Sequence, residues 1–424
     1  MSSIDEMGPR SRPSLGQWIP LSFQHVFAMF GATILVPILT GLSPATALFT
    51  AGTGTLLYIL LTGAKVPAFL GSSFAFIAPL IAVSSAYGVP YAMGGAMAGG
   101  IFYCIVALVV RQAGTAWLDR ALPPVVIGSV IIIIGLYLAP VAMDMAMYDG
   151  GGNYSLVSLS IAAFTLGVTI IVSIFFKGFF TAIPILIGLI TGYLFTLIMG
   201  FIFPAYAIIN FQVVADAPWF RHPVFMVPRF NPVVIFTFIV VSLATICEHL
   251  GDVLVTSKIV GQDFYKNPGL HRTLAGDGLA TAWAALWGGP PNTTYGENIG
   301  VMAITRVYSV WVIGGAAVIA VVLSFFGKFG ALIQTIPGPV LGGISMLLFG
   351  IIASSGLRTI VESGVDFKDK RNLTISSVVL VIGIGGGRLA FMVSGGIEFQ
   401  LAGLALATVV GIILNLIIPR TQGT

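Results

Sequence analysis

Gly288-Gly289-Pro290-Pro291-Asn292-Thr293-Thr294-Tyr295-Gly296-Glu297-Asn298 interrupts hydrophobic sequence that would otherwise cross a bilayer. Lys65-Val66-Pro67-Ala68-Phe69-Leu70-Gly71-Ser72-Ser73-Phe74 does the same in the first half of the chain. Both stretches mix Pro, Gly and hydroxyl residues. Proline removes a donor and breaks the helix, so N–H and C=O groups are freed that lipid cannot satisfy. Broken backbone at membrane depth therefore lines a cavity or packs within protein. A matched pair of such breaks points to a solute site near the bilayer midplane.

Composition agrees with a membrane setting. Of 424 residues, 57% are hydrophobic and 8% are charged, where a soluble domain carries about a quarter charged. So few charges cannot cover a soluble protein of this size, which excludes a cytosolic enzyme, a nucleic-acid binder and a secreted disulfide scaffold. The 52 glycines suit close helix packing. Cys104 and Cys247 stand in apolar surroundings and give neither a disulfide framework nor a zinc site. Met1 to Pro20 is polar and lacks a signal-peptide core, so the first hydrophobic run is expected to be retained.

A crossing needs about 20 apolar residues. Candidates lie near 18–41, 45–63, 69–88, 91–111, 123–142, 156–176 and 179–202, then near 232–257, 273–288, 297–305, 308–327, 338–356, 372–388 and 399–419. The expected fold is thus an all-α polytopic membrane protein of fourteen segments. With a cytoplasmic N-terminus, fifteen of the 19 Lys and Arg fall inside, Arg358 and Arg420 among them. Only Arg221, Arg229, Lys328 and Arg388 fall outside. Cytoplasmic loops favour Lys and Arg, so this split supports the count, places both termini in the cytoplasm, and accounts for the net charge of +4 without a nucleic-acid partner.

The halves repeat. At an offset of 224, Gln24-His25 falls on Glu248-His249, Gly52 and Gly54 on Gly276 and Gly278, Pro67 on Pro291, and Ser73-Phe74 on Glu297-Asn298. Further along the offset is 215, with Pro124-Val125 on Pro339-Val340, Gly128 on Gly343 and Gly135 on Gly350. Collinearity, rather than any one match, carries the repeat. Seven elements per half is an odd number, so the second half enters from the opposite side: a 7+7 inverted repeat.

Four of the 15 acidic residues sit at membrane depth: Glu248, Asp252, Asp277 and Glu297. A buried carboxylate there costs about 2.5–3.5 kcal/mol even on insertion scales. Glu248 and Asp252 share one helix face at i,i+4. Glu297 opens the half-helix after the second break, where the helix dipole favours an anion. Their first-half counterparts are Gln24, Ala28, Thr53 and Ser73, so the site is chemically one-sided. Glu248, Asp252, Asp277 and His249 are the candidates for carrying a proton. Gln24, His25, Ser73 and Asn298 are supporting polar groups, though such residues also serve as glue between helices. No metal is expected, because only His249 and His271 could join Glu248, and the latter falls in a loop. No cofactor is expected, and no Ser/His or paired-Asp arrangement suggests an enzyme. Carboxylates accept hydrogen bonds when charged and carry a proton when neutral. The residues thus describe a proton- or cation-coupled carrier for a small polar solute bearing N–H groups.

Ile336-Pro337-Gly338-Pro339-Val340-Leu341-Gly342-Gly343 followed by Phe349-Gly350 resembles the signature of the nucleobase:cation symporter-2 family, the xanthine/uracil permeases. Asn292 to Val301, with Glu297 before Asn298, is similar to the uracil-permease branch; the purine branch usually has Gln there. The resemblance covers nearly the whole chain. It implies bacterial inner-membrane uracil:proton symport, with proton-coupled purine (xanthine/guanine) transport as the alternative. It implies a cytoplasmic tail over 1–17, a core domain built from 18–112 and 232–328, a gate domain from 120–202 and 336–419, and an extracellular linker over 203–231. It also implies short antiparallel strands in segments 3 and 10, a homodimer, and an elevator-like movement of core against gate. Carried over by position, Glu248 and Glu297 hold the ring N–H and carbonyl edge of uracil, with Phe74 and Gly296 contacting it and Ala32 and Tyr295 nearby. A uracil permease of the family has His at the position of Asp252, Asn at that of Asp277 and Tyr at that of Phe349.

Overall fold

The computed structural model describes residues 7–177, 180, 183–202, 208–393 and 397–419. The start of the expected tail, residues 203–207 of the expected linker, and Arg420 lie outside these. The chain opens with α1 (Leu15–Thr40) and α2 (Pro44–Leu61). Strand β1 (Leu70–Ser72), a 3-10 turn at Phe74–Phe76 and α3 (Ile77–Tyr87) then occupy the stretch read as one span over 69–88. Next come α4 (Val89–Ala113), α5 (Ala116–Ala121), α6 (Pro124–Leu136), α7 (Ala139–Met147), α8 (Leu156–Phe175) and α9 (Pro184–Ile202). The short α10 (Gln212–Asp216) precedes α11 (Pro232–Val260) and α12 (Leu270–Leu286). Strand β2 (Asn292–Thr294) leads into α13 (Gly296–Thr305), then α14 (Val310–Ser324), α15 (Gly327–Gln334), α16 (Gly338–Glu362) and α17 (Lys370–Ile384). Strands β3 (Arg388–Val393) and β4 (Ile397–Ala402) and helix α18 (Gly403–Ile417) complete it. Among the described residues, eight helical runs are long and apolar enough to cross a membrane.

Helix starts follow from cap chemistry. Asn231 accepts from Val233 and Val234 N–H, with Pro232 at the first helical position of α11. Ser43 with Pro44, Ser155 and Ser309 start α2, α8 and α14 in the same way. Two boundaries depart from the sequence reading. The last segment, expected from 399, begins as strand: β3 and β4 pair antiparallel from Arg388↔Ala402 to Val393↔Ile397. Ile397-Glu398-Phe399-Gln400-Leu401 alternates apolar and polar residues, which is strand rather than helix periodicity. And α16 runs six residues past the expected end at 356, to Glu362, carrying Arg358 within the helix.

Two groups of helices are visible in the packing. In the first, α1 and α2 lie against α14, and α11 and α12 lie against α4. In the second, α6 and α8 pack on α16, α17 packs on α6, and α8 and α17 pair with α9 and α18. Two close crossings are made by facing glycines. A Cβ on Gly100 would stand 2.5 Å from the Gly278 carbonyl, and one on Gly278 2.7 Å from that of Gly100. Gly128 and Gly356 face each other in the same way, at 2.7 and 2.6 Å. Without a hydrophobic drive between helices in lipid, such backbone approach supplies the packing.

Candidate functional site: a carboxylate-lined cavity at crossed strands

β1 and β2 pair antiparallel in the register Leu70↔Thr294, Gly71↔Thr293 and Ser72↔Asn292. The ladder extends through Ser73 N–H to Pro291 C=O at 2.8 Å and Tyr295 N–H to Phe69 C=O at 3.0 Å. The backbone groups freed by the two breaks therefore satisfy each other. Side chains from the flanking helices hold the pair in place. Thr55 donates to the Leu70 carbonyl and accepts from its N–H, Thr281 donates to the Asn292 carbonyl, and the Asn292 amide donates to the Thr50 carbonyl. Gly71 is required: a Cβ there would meet the Tyr295 ring at 2.5 Å. Each strand runs directly into a helix start, Ser73 into the turn at Phe74 and Tyr295 into α13. First-turn N–H groups, which have no intrahelical acceptor, thus gather at the crossing.

Beside the crossing lies a cavity of about 360 Å³. Glu248 and Asp252 reach it from α11, Thr293 and Tyr295 from the strand and its end, and Glu297 from the first turn of α13. Phe74 lines it from the other break, and its ring meets Phe349 of α16 edge-on at 5.6 Å. The three carboxylates are not equivalent. Asp252 Oδ2 accepts from the Thr294 hydroxyl at 2.7 Å. Glu248 Oε2 is buried with no protein partner, and so is the Thr293 hydroxyl. A buried acceptor left open in this way needs a proton or a donor from outside the chain.

The remaining residues singled out in the sequence, Gly296 apart, lie around this cavity rather than in its lining. Ala32 is buried in α1. Its neighbour Thr33 donates to the Tyr295 hydroxyl at 3.2 Å, while Tyr295 donates to the Ser72 carbonyl at 3.1 Å. His25 and Asn298 are joined, the Asn298 amide meeting His25 Nδ1 at 3.0 Å and its carbonyl at 3.1 Å. Asp277 and His249 are fully buried with Oδ2 and Nδ1 3.0 Å apart, and Tyr58 stands edge-on to the His249 ring at 6.5 Å. Gln24 and Ser73 are buried, and Gly296 lines the cavity.

Three contributors lay outside the sequence reading. Thr33 and Thr294 brace the site as described. Arg358, placed by the sequence beyond the end of its segment, lines the cavity with Ser354 and Ser355. Its Nε is 3.9 Å from Glu362, which also accepts from Lys258 of α11 at 3.1 Å. The continuing pattern Leu357, Ile360 and Val361 was the signal for a longer helix.

Comparison with known proteins fits this geometry. A model described as a permease family matches residues 16–391. A uracil permease of Bacillus subtilis (strain 168) is 53% identical over 426 residues, 98% of this chain and 96% of that protein. The Escherichia coli (strain K12) uracil permease is 46% identical over 413 residues, covering 97% and 93%. Among solved structures, the transmembrane domain of the cyanobacterial bicarbonate transporter BicA shares the fold at TM-score 0.64 and 16% identity, covering 97% of this chain and all of that one. SLC26A9 does so at 0.66 and 12%, covering 95% and 66%. The relatives are permeases, transporters rather than enzymes. With paired breaks, an open cavity beside them and near-full-length identity to such proteins, the chain belongs to the xanthine/uracil permease family.

Proposed function

We propose that the protein imports uracil across the bacterial inner membrane in symport with a proton. The observation that carries this reading is the unpartnered Glu248 carboxylate, facing a cavity that Glu297 and two helix starts also border. Uracil offers ring N–H donors to Glu248 and Glu297, and its carbonyls accept from first-turn N–H groups. Phe74 provides a flat apolar wall. Asp252, tied to Thr294, carries the coupled proton, with the Asp277–His249 pair behind it. The names of the relatives, uracil permeases, favour this solute over a purine.

The architecture proposed is fourteen segments in a 7+7 inverted repeat. The packing supports it, because contacts come in pairs that the repeat exchanges. α2 on α14 corresponds to α12 on α4, and α1 on α14 to α11 on α4. α8 on α16 corresponds to α17 on α6, and α8 on α9 to α17 on α18. α1–α4 with α11–α14 form the core, and α6–α9 with α16–α18 form the gate. The cavity reaches Ile259, Ala303 and Arg358, at helix ends whose basic residues assign them to the cytoplasm. The conformation is therefore inward-open, and transport proceeds as the core slides against the gate of a homodimer. Uptake of labelled uracil into proteoliposomes, with a nucleobase panel and with or without an inward proton gradient, tests the whole proposal. Uptake indifferent to the gradient would remove proton coupling, and strong competition by xanthine would move the solute to the purines.

A further inference from the structure

We propose that an apolar crevice on the membrane-facing side holds one acyl chain of a membrane phospholipid. The crevice encloses about 610 Å³ between α1 and α9, with the α14–α15 junction beside it. Phe23, Phe27 and Phe30 line it from α1, Leu186 and Ile190 from α9, and Phe329 from α15. Among the lining side chains only Tyr193 bears a polar atom, and its hydroxyl is bonded to Thr335 at 2.8 Å. Nothing there can hold a water, which needs at least two polar partners. The rim residues Phe23, Ile190, Leu194 and Leu332 are exposed. Both α1 and α9 are long and apolar enough to span the membrane, so the medium at that rim is hydrocarbon.

The crevice has a structural origin. α1 and α9 come together at Gly31, where a Cβ would meet Ile185 Cγ2 at 2.5 Å. Beside that contact Phe30 leans on Phe329 with centroids 5.6 Å apart, and the gap next to them stays unfilled by protein. An open apolar gap loses dispersion contacts along each wall. The crevice presents apolar surface along its whole lining and has room for an acyl chain. Because α1 belongs to the proposed core and α9 to the proposed gate, the chain would act as a deformable filler between sliding bodies. That role rests on the transport reading, whereas the binding itself does not.

Electron spin resonance of phosphatidylglycerol labelled near its chain end, in proteoliposomes, tests the site. Leu186→Phe/Ile190→Trp fills the crevice and Phe329→Ala enlarges it. The expected result is an immobilised lipid component that falls by about one chain per protein in the filled variant and is at least retained in the enlarged one. Equal immobilised fractions in wild type and a filled variant with wild-type thermal unfolding overturn the site. If the filled variant does not fold, Phe329→Ala decides: a fraction below wild type overturns the proposal, and one equal or larger sustains it. A filled variant that transports uracil at the wild-type rate overturns the filler role alone.

Discussion

Replacing Glu248 by alanine should separate binding from stability. In the proposed complex its carboxylate accepts from a ring N–H, and a hydrogen bond to a charged group contributes about 1.5–3 kcal/mol. Alanine also leaves that ligand N–H without an acceptor in a site closed on most sides, which adds about 1–3 kcal/mol. The combined loss of roughly 2.5–6 kcal/mol, at tenfold per 1.4 kcal/mol, weakens uracil binding by about 60-fold or more. Stability should move the other way or not at all. Glu248 Oε2 makes no protein hydrogen bond that the substitution could break, and removing an unpaired buried carboxylate relieves a desolvation cost. Equilibrium binding of labelled uracil to purified protein, alongside thermal unfolding of the ligand-free form, reads both quantities. Glu248→Gln retains an acceptor without charge and should lose only about tenfold, since neutral hydrogen bonds contribute about 0.5–1.5 kcal/mol. An alanine variant that binds within threefold of wild type would refute the placement of the solute. One that binds weakly but also unfolds many degrees lower would show Glu248 to be structural glue.

Other positions give separate signatures. Asp252→Asn keeps an acceptor for Thr294, so uracil exchange should persist while accumulation driven by a pH gradient is lost; unchanged accumulation in proteoliposomes counts against Asp252 as the proton carrier. Gly71→Ala drives a methyl into the Tyr295 ring, and overpacking of about 1–3 kcal/mol should detach that tyrosine from Ser72 and Thr33, lowering both thermal stability and uracil affinity. Arg371→Ala removes the guanidinium bonds to the Asn415 and Ile418 carbonyls at the end of α18. It should lower the unfolding temperature and leave uracil affinity within twofold, and a large loss of affinity would mean that this helix end reports on the site.

Much of the site is legible because its signals are strong against a lipid background. Pro290-Pro291 and Gly71-Ser72-Ser73 cannot be ordinary helix in a membrane, and Glu248, Asp252 and Glu297 stand out where acids are costly. The bracing hydroxyls are not legible. A threonine on a membrane helix bonds its own preceding turn by default, as Thr40 does to Val36, Thr50 to Thr46 and Thr165 to Ile161. Nothing in sequence separates these from Thr33, which reaches Tyr295 instead. Arg358 was hidden for a related reason, since a long side chain at a helix end extends toward water and reads as loop. His249 and Asp277 were both visible, but their meeting depends on how α11 packs beside α12.

On the proposed repeat, the position corresponding to Asp252 is Ala28, and the two now sit in opposite surroundings. Asp252 borders the open cavity. Ala28 is packed with Ile183 and Val301, three residues along the helix from the tight contact of Gly31 with Ile185. On that repeat, paired packing coexists with one open side and one sealed side, the arrangement that the proposed alternating access calls for. The chemical asymmetry then has a mechanical reason. Small apolar residues at Ala28 and Gly31 let α9 close against α1 without burying a charge. Acids on α11 face the side that opens here, where the proposed symport has them release a proton. Had the carboxylates been shared between the halves, sealing either side would have buried one of them against the gate, at the cost of several kcal/mol per crossing. In the proposed cycle, placing the three cavity acids Glu248, Asp252 and Glu297 in the second half confines that cost to one half of it, when protonation or bound solute offsets it.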